Sequence, residues 1–190
     1  MKYLLAFLVL LLVSSPIAAE ETVSGKPTVV DGGKLYFPNE PSNRQNIYLA
    51  FIRPFWPGQR CVSNFEKRFE EDPKFFDAGQ AAKEFLEALV SKGEVTCEIV
   101  KSWKQGSFGD CRTASGEFLS DRMIETGNAL SGAMVGDRMK YLFKLKKRLY
   151  PAAQEGLKGN KFPTSCDSRS YEEDQAYYHN PYNAAGVDQD

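Results

Sequence analysis

The sequence predicts an α+β fold, on three observations. Five short β-rich runs are separated by Gly, Pro and Asn turn signals. An amphipathic helical stretch falls between the third run and the fourth, and two further helical stretches follow the fifth. Four cysteines, an even number, lie at positions 61, 97, 111 and 166. Five strands with a helix inserted between the third and fourth have the connectivity of an OB-fold barrel. The expected architecture is therefore a five-stranded OB-fold barrel with about three helices, stabilised by disulfides.

The first 19 residues stand apart from that fold. Lys2 supplies a positive start, 3–13 is an apolar run, and Ser14-Ser15-Pro16-Ile17-Ala18-Ala19 ends in small residues. This is the pattern of a secretory signal peptide, too short for a span of about 20 residues. An uncleaved N-terminal anchor is the alternative. No later segment is long and apolar enough to span a bilayer, so the expected location is the periplasm or the extracellular space. The signal holds one of the 24 basic residues, Lys2, which leaves 23 against 25 acidic ones and a net charge of −2. That balance does not favour a partner held by phosphate neutralisation, so nucleic acid is not the favoured partner.

Residues 20–27 read as a polar leader. Residues 28–37 form two β-rich runs around Asp31-Gly32-Gly33, a hairpin signal. A loop follows over 38–46, then a third strand over 47–52, and the two prolines and glycine of 53–58 stop it. Residues 65–76 are charged and aromatic without periodicity. Ala82, Phe85, Leu86, Leu89 and Val90 recur at helical spacing, with Asp77 or Ala78 near the start and Gly93 beyond the end. Val95, Cys97 and Ile99 alternate with polar residues, and a Lys104-Gln105-Gly106 turn returns the chain through Phe108 to Cys111. Ser120 caps a short helix through Met123 and Ile124 to Gly127. A third helix runs over 133–149, with Val135, Met139, Leu142, Leu145 and Leu149 on one face, and Pro151 closes it. The folded domain is thus 28–166. Residues 167–190 carry six acidic residues against one arginine and read as a disordered, tyrosine-containing tail.

Four cysteines in an oxidising compartment favour disulfides, with three pairings open at this point. The one histidine, His179, is in the tail, and there is no Cys-x-x-Cys spacing. Neither a structural zinc site nor a Ser-His-Asp triad is expected, and no cofactor. Glu70-Glu71-Asp72 reads as a solvated acidic loop. Two stretches read as partner surface. Phe55 and Trp56 lie between prolines, where a strand cannot easily bury them, and aromatic residues are enriched at contact surfaces. Lys140, Lys144, Lys146, Lys147 and Arg148 form a basic helix end that suits phosphate, lipid headgroups or an acidic partner.

Several motifs resemble the staphylococcal nuclease (thermonuclease) family. Gly79-Gln80-Ala81-Ala82-Lys83-Glu84-Phe85-Leu86 followed by Val95-Thr96-Cys97-Glu98 resembles its G-Q-x-A-x-x-x-L helix and V-x-C-E strand. Gly109-Asp110-Cys111, Gly116-Glu117-Phe118-Leu119-Ser120 and 123–129 look like its last strand, turn and second helix. Asp31-Gly32-Gly33 stands where the family has Asp-Gly-Asp, and Gln59-Arg60-Cys61 resembles its Q-x-C. The resemblance covers roughly residues 28–163.

That family's chemistry needs two arginines on the developing phosphorane charge, a glutamate to handle water, and aspartates to hold calcium. Aligned on Gln59-Arg60-Cys61, residues 47–56 lie under I-R-L-x-G-I-D-A-P-E. Tyr48 then stands at the first arginine, Arg53 at a calcium aspartate and Trp56 at the glutamate. Gly33 stands at the second calcium aspartate, and Gly106 at the second arginine. The resemblance thus implies a scaffold without the catalytic or metal-binding groups, a pseudoenzyme that binds another envelope or secreted protein. A divergent metal-dependent nuclease and a non-catalytic nucleic-acid-binding module are the alternatives. Many exported relatives pair the Q-x-C cysteine with one just before the helix glycine, but here that stretch reads Phe76-Asp77-Ala78-Gly79. With Cys97 and Cys111 nearly symmetric about Lys104-Gln105, the expected pairs are Cys97 with Cys111 and Cys61 with Cys166.

Overall fold

The computed structural model describes residues 21–62, 74–132, 145–159, 161–163 and 166. The segment read as a signal peptide, Glu70-Glu71-Asp72, Lys140, Lys144 and the stretch read as a tail lie outside the described residues, as does the first part of the third expected helix.

Ten strands are present among the described residues: β1 Thr22–Gly25, β2 Thr28–Asp31, β3 Lys34–Tyr36, β4 Asn46–Leu49, β5 Ile52–Pro54, β6 Arg60–Val62, β7 Phe75–Asp77, β8 Val95–Trp103, β9 Gly106–Thr113 and β10 Ala129–Ser131. The helices are α1 Ser42–Gln45, α2 Ala78–Val90, α3 Leu119–Glu125 and α4 Tyr150–Lys158, the last preceded by a π-helical turn, Leu145–Leu149. The main sheet has six strands in the order β1-β8-β9-β4-β3-β2, with two small two-stranded sheets, β10-β5 and β6-β7. All its pairs are antiparallel except β4 with β9. β1 and β2 occupy its opposite ends, yet only Lys26 and Pro27 separate them in the chain. The sheet must therefore curl until its two edges meet at that corner. Gly25, with φ 152°, supplies a backbone conformation there that other residues rarely adopt.

The inner face of the curl is built by period-2 alternation. Val23, Val29, Leu35, Ile47, Leu49, Val95, Cys97 and Cys111 are all buried. α2 adds Ala82, Leu86 and Leu89 from one face to the same core. Its start is fixed by Asp77, whose carboxylate accepts a hydrogen bond from the Gln80 backbone at 2.8 Å. The two disulfides join Cys97 to Cys111 across β8 and β9, and Cys61 to Cys166.

The structure corrects several expectations. The main sheet gains a sixth strand from the stretch read as a polar leader. β1 is polar to the eye because Thr22 and Ser24 point outward, the latter bonding Thr96 at 3.0 Å, while Val23 between them is 1% exposed. The third strand does not run through Ile52. Phe51 takes φ 70°, and the chain leaves the main sheet to pair as β5 with β10. The loop over 38–46 contains α1. Pro151 does not end the last helix but sits in the first turn of α4, directly after the π-helical turn.

The C-terminal helix is fastened by charge. Arg148 donates to both carboxylate oxygens of Asp110 at 2.9 and 2.8 Å, and its Nε donates to Asp121 at 2.8 Å. The Asp110 side chain is 1% exposed. The guanidinium also lies 3.6 Å from the centre of the Phe118 ring. One cation thus serves two carboxylates, and Asp121 is the one left in excess. Burial pushes its pKa up to about 6 against the attraction of Arg148, with Asp110 and Glu125 adding repulsion.

Two outcomes follow. Replacing Arg148 by Met at pH 7 leaves Asp110 buried without its partner and should cost about 3 to 5 kcal/mol in urea unfolding. Because the folded pKa of Asp121 lies above its ordinary 3.8, folding takes up a proton between pH 3.8 and about 6. The stabilisation is present below that window and is lost as pH rises through it. Unfolding free energies at pH 4 and pH 7 should show the native chain losing up to about 3 kcal/mol relative to Asp121→Asn over that interval. An unchanged difference between the two proteins would contradict the assignment.

Candidate functional site

The outer face of the main sheet is read directly from its register. Lys34 on β3 pairs with Tyr48 on β4, Tyr48 with Phe108 on β9, and Phe108 with Lys101 on β8. These four side chains form one row across four strands. The neighbouring row holds Tyr36, Asn46, Gly106 and Trp103. Tyr48, Trp103 and Phe108 make a three-ring cluster, with centroids 5.5 Å apart for Tyr48 and Trp103, 5.2 Å for Trp103 and Phe108, and 6.0 Å for Tyr48 and Phe108. The Lys34 ammonium sits 5.1 Å from the Tyr48 ring centre. Tyr48 and Trp103 are half-buried, whereas Phe108 lies beneath them and is buried.

Gly106 is where this surface demands the absence of a side chain. A β-carbon there would lie 2.9 Å from the Asn46 carbonyl oxygen, 3.0 Å from Trp103 and 3.3 Å from Tyr48. Nearby, the Asn46 amide reaches the Gln105 carbonyl at 3.4 Å, tying β4 to the β8–β9 turn.

Four of the five positions at which the resemblance would require catalytic or metal-binding groups are linked through neighbouring residues. Tyr48 touches the space at Gly106. Leu49, next to Tyr48, donates its N–H to the Gly33 carbonyl at 2.8 Å. A β-carbon on Gly33 would lie 2.5 Å from the Pro54 ring, beside Arg53, which is exposed on β5. Gly33 also donates its N–H to Asp31 at 2.8 Å, which closes the β2–β3 turn. The fifth position, Trp56, is half-buried against the start of α2. There a β-carbon on Gly79 would overlap the Trp56 carbonyl at 1.8 Å.

The two stretches read as partner surface change character in the structure. Phe55 is 5% exposed and forms a small second core with Cys61 and Ala78, against which Phe76 and Cys166 pack. Its ring lies against the Cys61–Cys166 disulfide, so the flanking prolines position a core residue and do not present it. Gln59 N–H to the Trp56 carbonyl at 3.0 Å, and Ala78 N–H to the Gln59 carbonyl at 2.8 Å, hold this loop to α2. Arg148 is likewise turned inward onto Asp110 and Asp121, while Lys147 beside it is exposed. The Lys146 side chain lies outside the described residues.

Sequence reasoning missed Trp103, Phe108, Lys34 and Lys101 as members of one surface. The available signal was the alternation in β8 and β9 read outward, where it carries aromatics. A register shift between Ile99 and Lys101 obscures that alternation by moving later residues of β8 to the opposite face. Among the described residues no group of three or more His, Cys, Asp or Glu is arranged to hold a metal ion. No family model matches the chain, and no curated protein matches it.

The Phe55 site distinguishes core from contact surface. Phe55→Ala should destabilise the chain by about 3 to 5 kcal/mol in denaturant melts, as for a ring removed from a packed site. Trp56→Ala, at a half-buried position, should cost clearly less. Equal, small losses for both would restore the loop to the surface.

Proposed function

We propose that the chain is an exported, non-catalytic binding module on an OB-fold barrel related to the staphylococcal nuclease family, and that its partner is another envelope or secreted protein. The barrel reading is supported by β2, β3, β4, β8 and β9. Numbered one to five in chain order, they run 1-2-3-5-4 across the sheet, with strands 3 and 5 parallel and α2 between strands 3 and 4. β1 continues directly into β2, so a first strand bent at Gly25 borders both β3 and β8. Export is supported by the two disulfides, which persist in oxidising compartments.

The observation that carries the non-catalytic reading is the filling of the Tyr48 and Gly106 positions. Phosphodiester cleavage on this scaffold needs two guanidiniums there; Tyr48 and Trp103 occupy the space, with a glycine between them. Losing one transition-state donor costs about 100- to 1000-fold, and groups that act as a unit leave little when all are missing. The same surface favours the nucleic-acid-binding module as the second reading, because half-buried rings beside Lys34 and Lys101 suit base stacking and backbone phosphates.

Purified protein incubated with single- or double-stranded DNA or RNA and calcium, magnesium or manganese should produce no cleavage. EDTA-sensitive cleavage that disappears in Arg53→Ala or Lys104→Ala would establish the divergent-nuclease alternative instead. In the same samples, salt-sensitive retention of single-stranded DNA, lost in Trp103→Ala, would move the reading to the nucleic-acid module.

A further inference from the structure

The basic helix end has a second side that neither the fold nor the proposed binding surface uses. Of the large apolar side chains exposed among the described residues, the two most exposed are Tyr150 at 63% and Leu157 at 68%. Both lie on α4, two turns apart, and so share one face. The opposite face carries Ala152 and Gly156 into the fold, where a β-carbon on Gly156 would lie 2.7 Å from the Phe162 ring and 2.8 Å from the Ile124 carbonyl. That close approach fixes the rotation of the helix. Tyr150 and Leu157 are consequently held outward and cannot turn in.

The exposed charges near that face are mostly positive. Lys147, Lys158 and Lys161 are exposed, and the only described carboxylate on α4, Glu155, is also exposed and lies 3.9 Å from Lys158. Arg148 is withdrawn from this set by Asp110 and Asp121, which anchors the helix while its lysines stay outside. The chain beyond the signal carries net charge −2, so this positive apolar face is local and not a consequence of overall composition. Exposed aromatic and aliphatic side chains flanked by lysines are the chemistry of a helix lying on an anionic lipid surface.

We infer that α4 is a peripheral membrane-contact helix that rests Tyr150 and Leu157 in the headgroup region of an anionic bilayer, with Lys147, Lys158 and Lys161 on lipid phosphates. The contact is reversible, because one short helix with two apolar side chains lacks the area of an inserted anchor. It does not depend on whether the outer sheet face binds protein or nucleic acid.

The test uses the processed protein recovered from a secreting host and vesicles of phosphatidylcholine with or without one-third phosphatidylglycerol. Co-sedimentation should occur only with the anionic vesicles and fall steeply with added salt. Leu157→Glu, and separately Lys147→Glu with Lys158→Glu, should each weaken partitioning by more than about tenfold. Circular dichroism should be unchanged, since these side chains are exposed. Absence of sedimentation with anionic vesicles overturns the inference, as does unchanged partitioning in both variants. Binding to soluble polyglutamate without vesicle binding also overturns it, and assigns the face to an acidic protein.

Discussion

A single guanidinium, that of Arg148, ties the start of the C-terminal helix to both the main sheet and α3. β9 is the central strand of the curled sheet, and nearly all of it is buried, so its outward-facing residues need cover as much as its inward ones. Asp110 is the outward residue at which that need is sharpest, because a carboxylate shut away from water is tolerable only with a well-placed counter-charge. Arg148 supplies it with two parallel bonds and then reaches Asp121 on α3 with its remaining donor edge. The C-terminal helix is thereby fixed at once to the sheet and to α3. Breaking that contact would expose a buried charge, which makes the attachment far more selective in position than apolar packing alone.

The outer face of β9 is consequently divided. One end, at Asp110, is closed by the C-terminal helix; the other, at Phe108, is closed by the rings of Tyr48 and Trp103. Both covers solve the same problem, one by ion pairing and one by aromatic packing. Only the second leaves part of its rings and the neighbouring lysines accessible, so the sheet face that can meet a ligand is set by where Arg148 stops. The disulfides add covalent ties at two other places. Cys97–Cys111 ties β8 to β9 within the core, and Cys61–Cys166 closes a loop of 105 residues, worth about 4 to 5 kcal/mol in the chain-entropy account.

Much of the curled sheet and its helix was legible because local chemistry and burial agree there. The Asp31-Gly32-Gly33 turn, the Ala82, Leu86 and Leu89 stripe of α2, and the alternation of Val95 and Cys97 each carry one consistent period. β1 was not legible, since a four-residue edge strand with one buried side chain, Val23, has too little pattern to separate from a polar leader. The site divided along the same line. Tyr48, Gly33 and Gly106 were singled out only through the family resemblance, and the partners that fill their space come from the pairing of β3, β4, β8 and β9, which no local window contains. Phe55 misled for a related reason: its flanking prolines describe a loop correctly, yet the ring's burial depends on a disulfide to Cys166, more than 100 positions away.

Arg148 and Phe55 were both read as surface and are both structural, and the reversal has one cause. Each is a residue of high contact capacity, and such residues are chosen equally for partners and for the seams where separate chain segments meet. What distinguishes the two uses is whether the fold already holds a complementary group. For Arg148 it holds two carboxylates, and for Phe55 a disulfide and Ala78. Among the described residues Tyr150 and Leu157 have no such complement in the packing of α4, because Gly156 brings the helix onto α3 by its opposite face. The residues withdrawn to the seams thus determine which ones remain outside, and the contact surfaces of the chain are what is left after its internal complementarities have been satisfied.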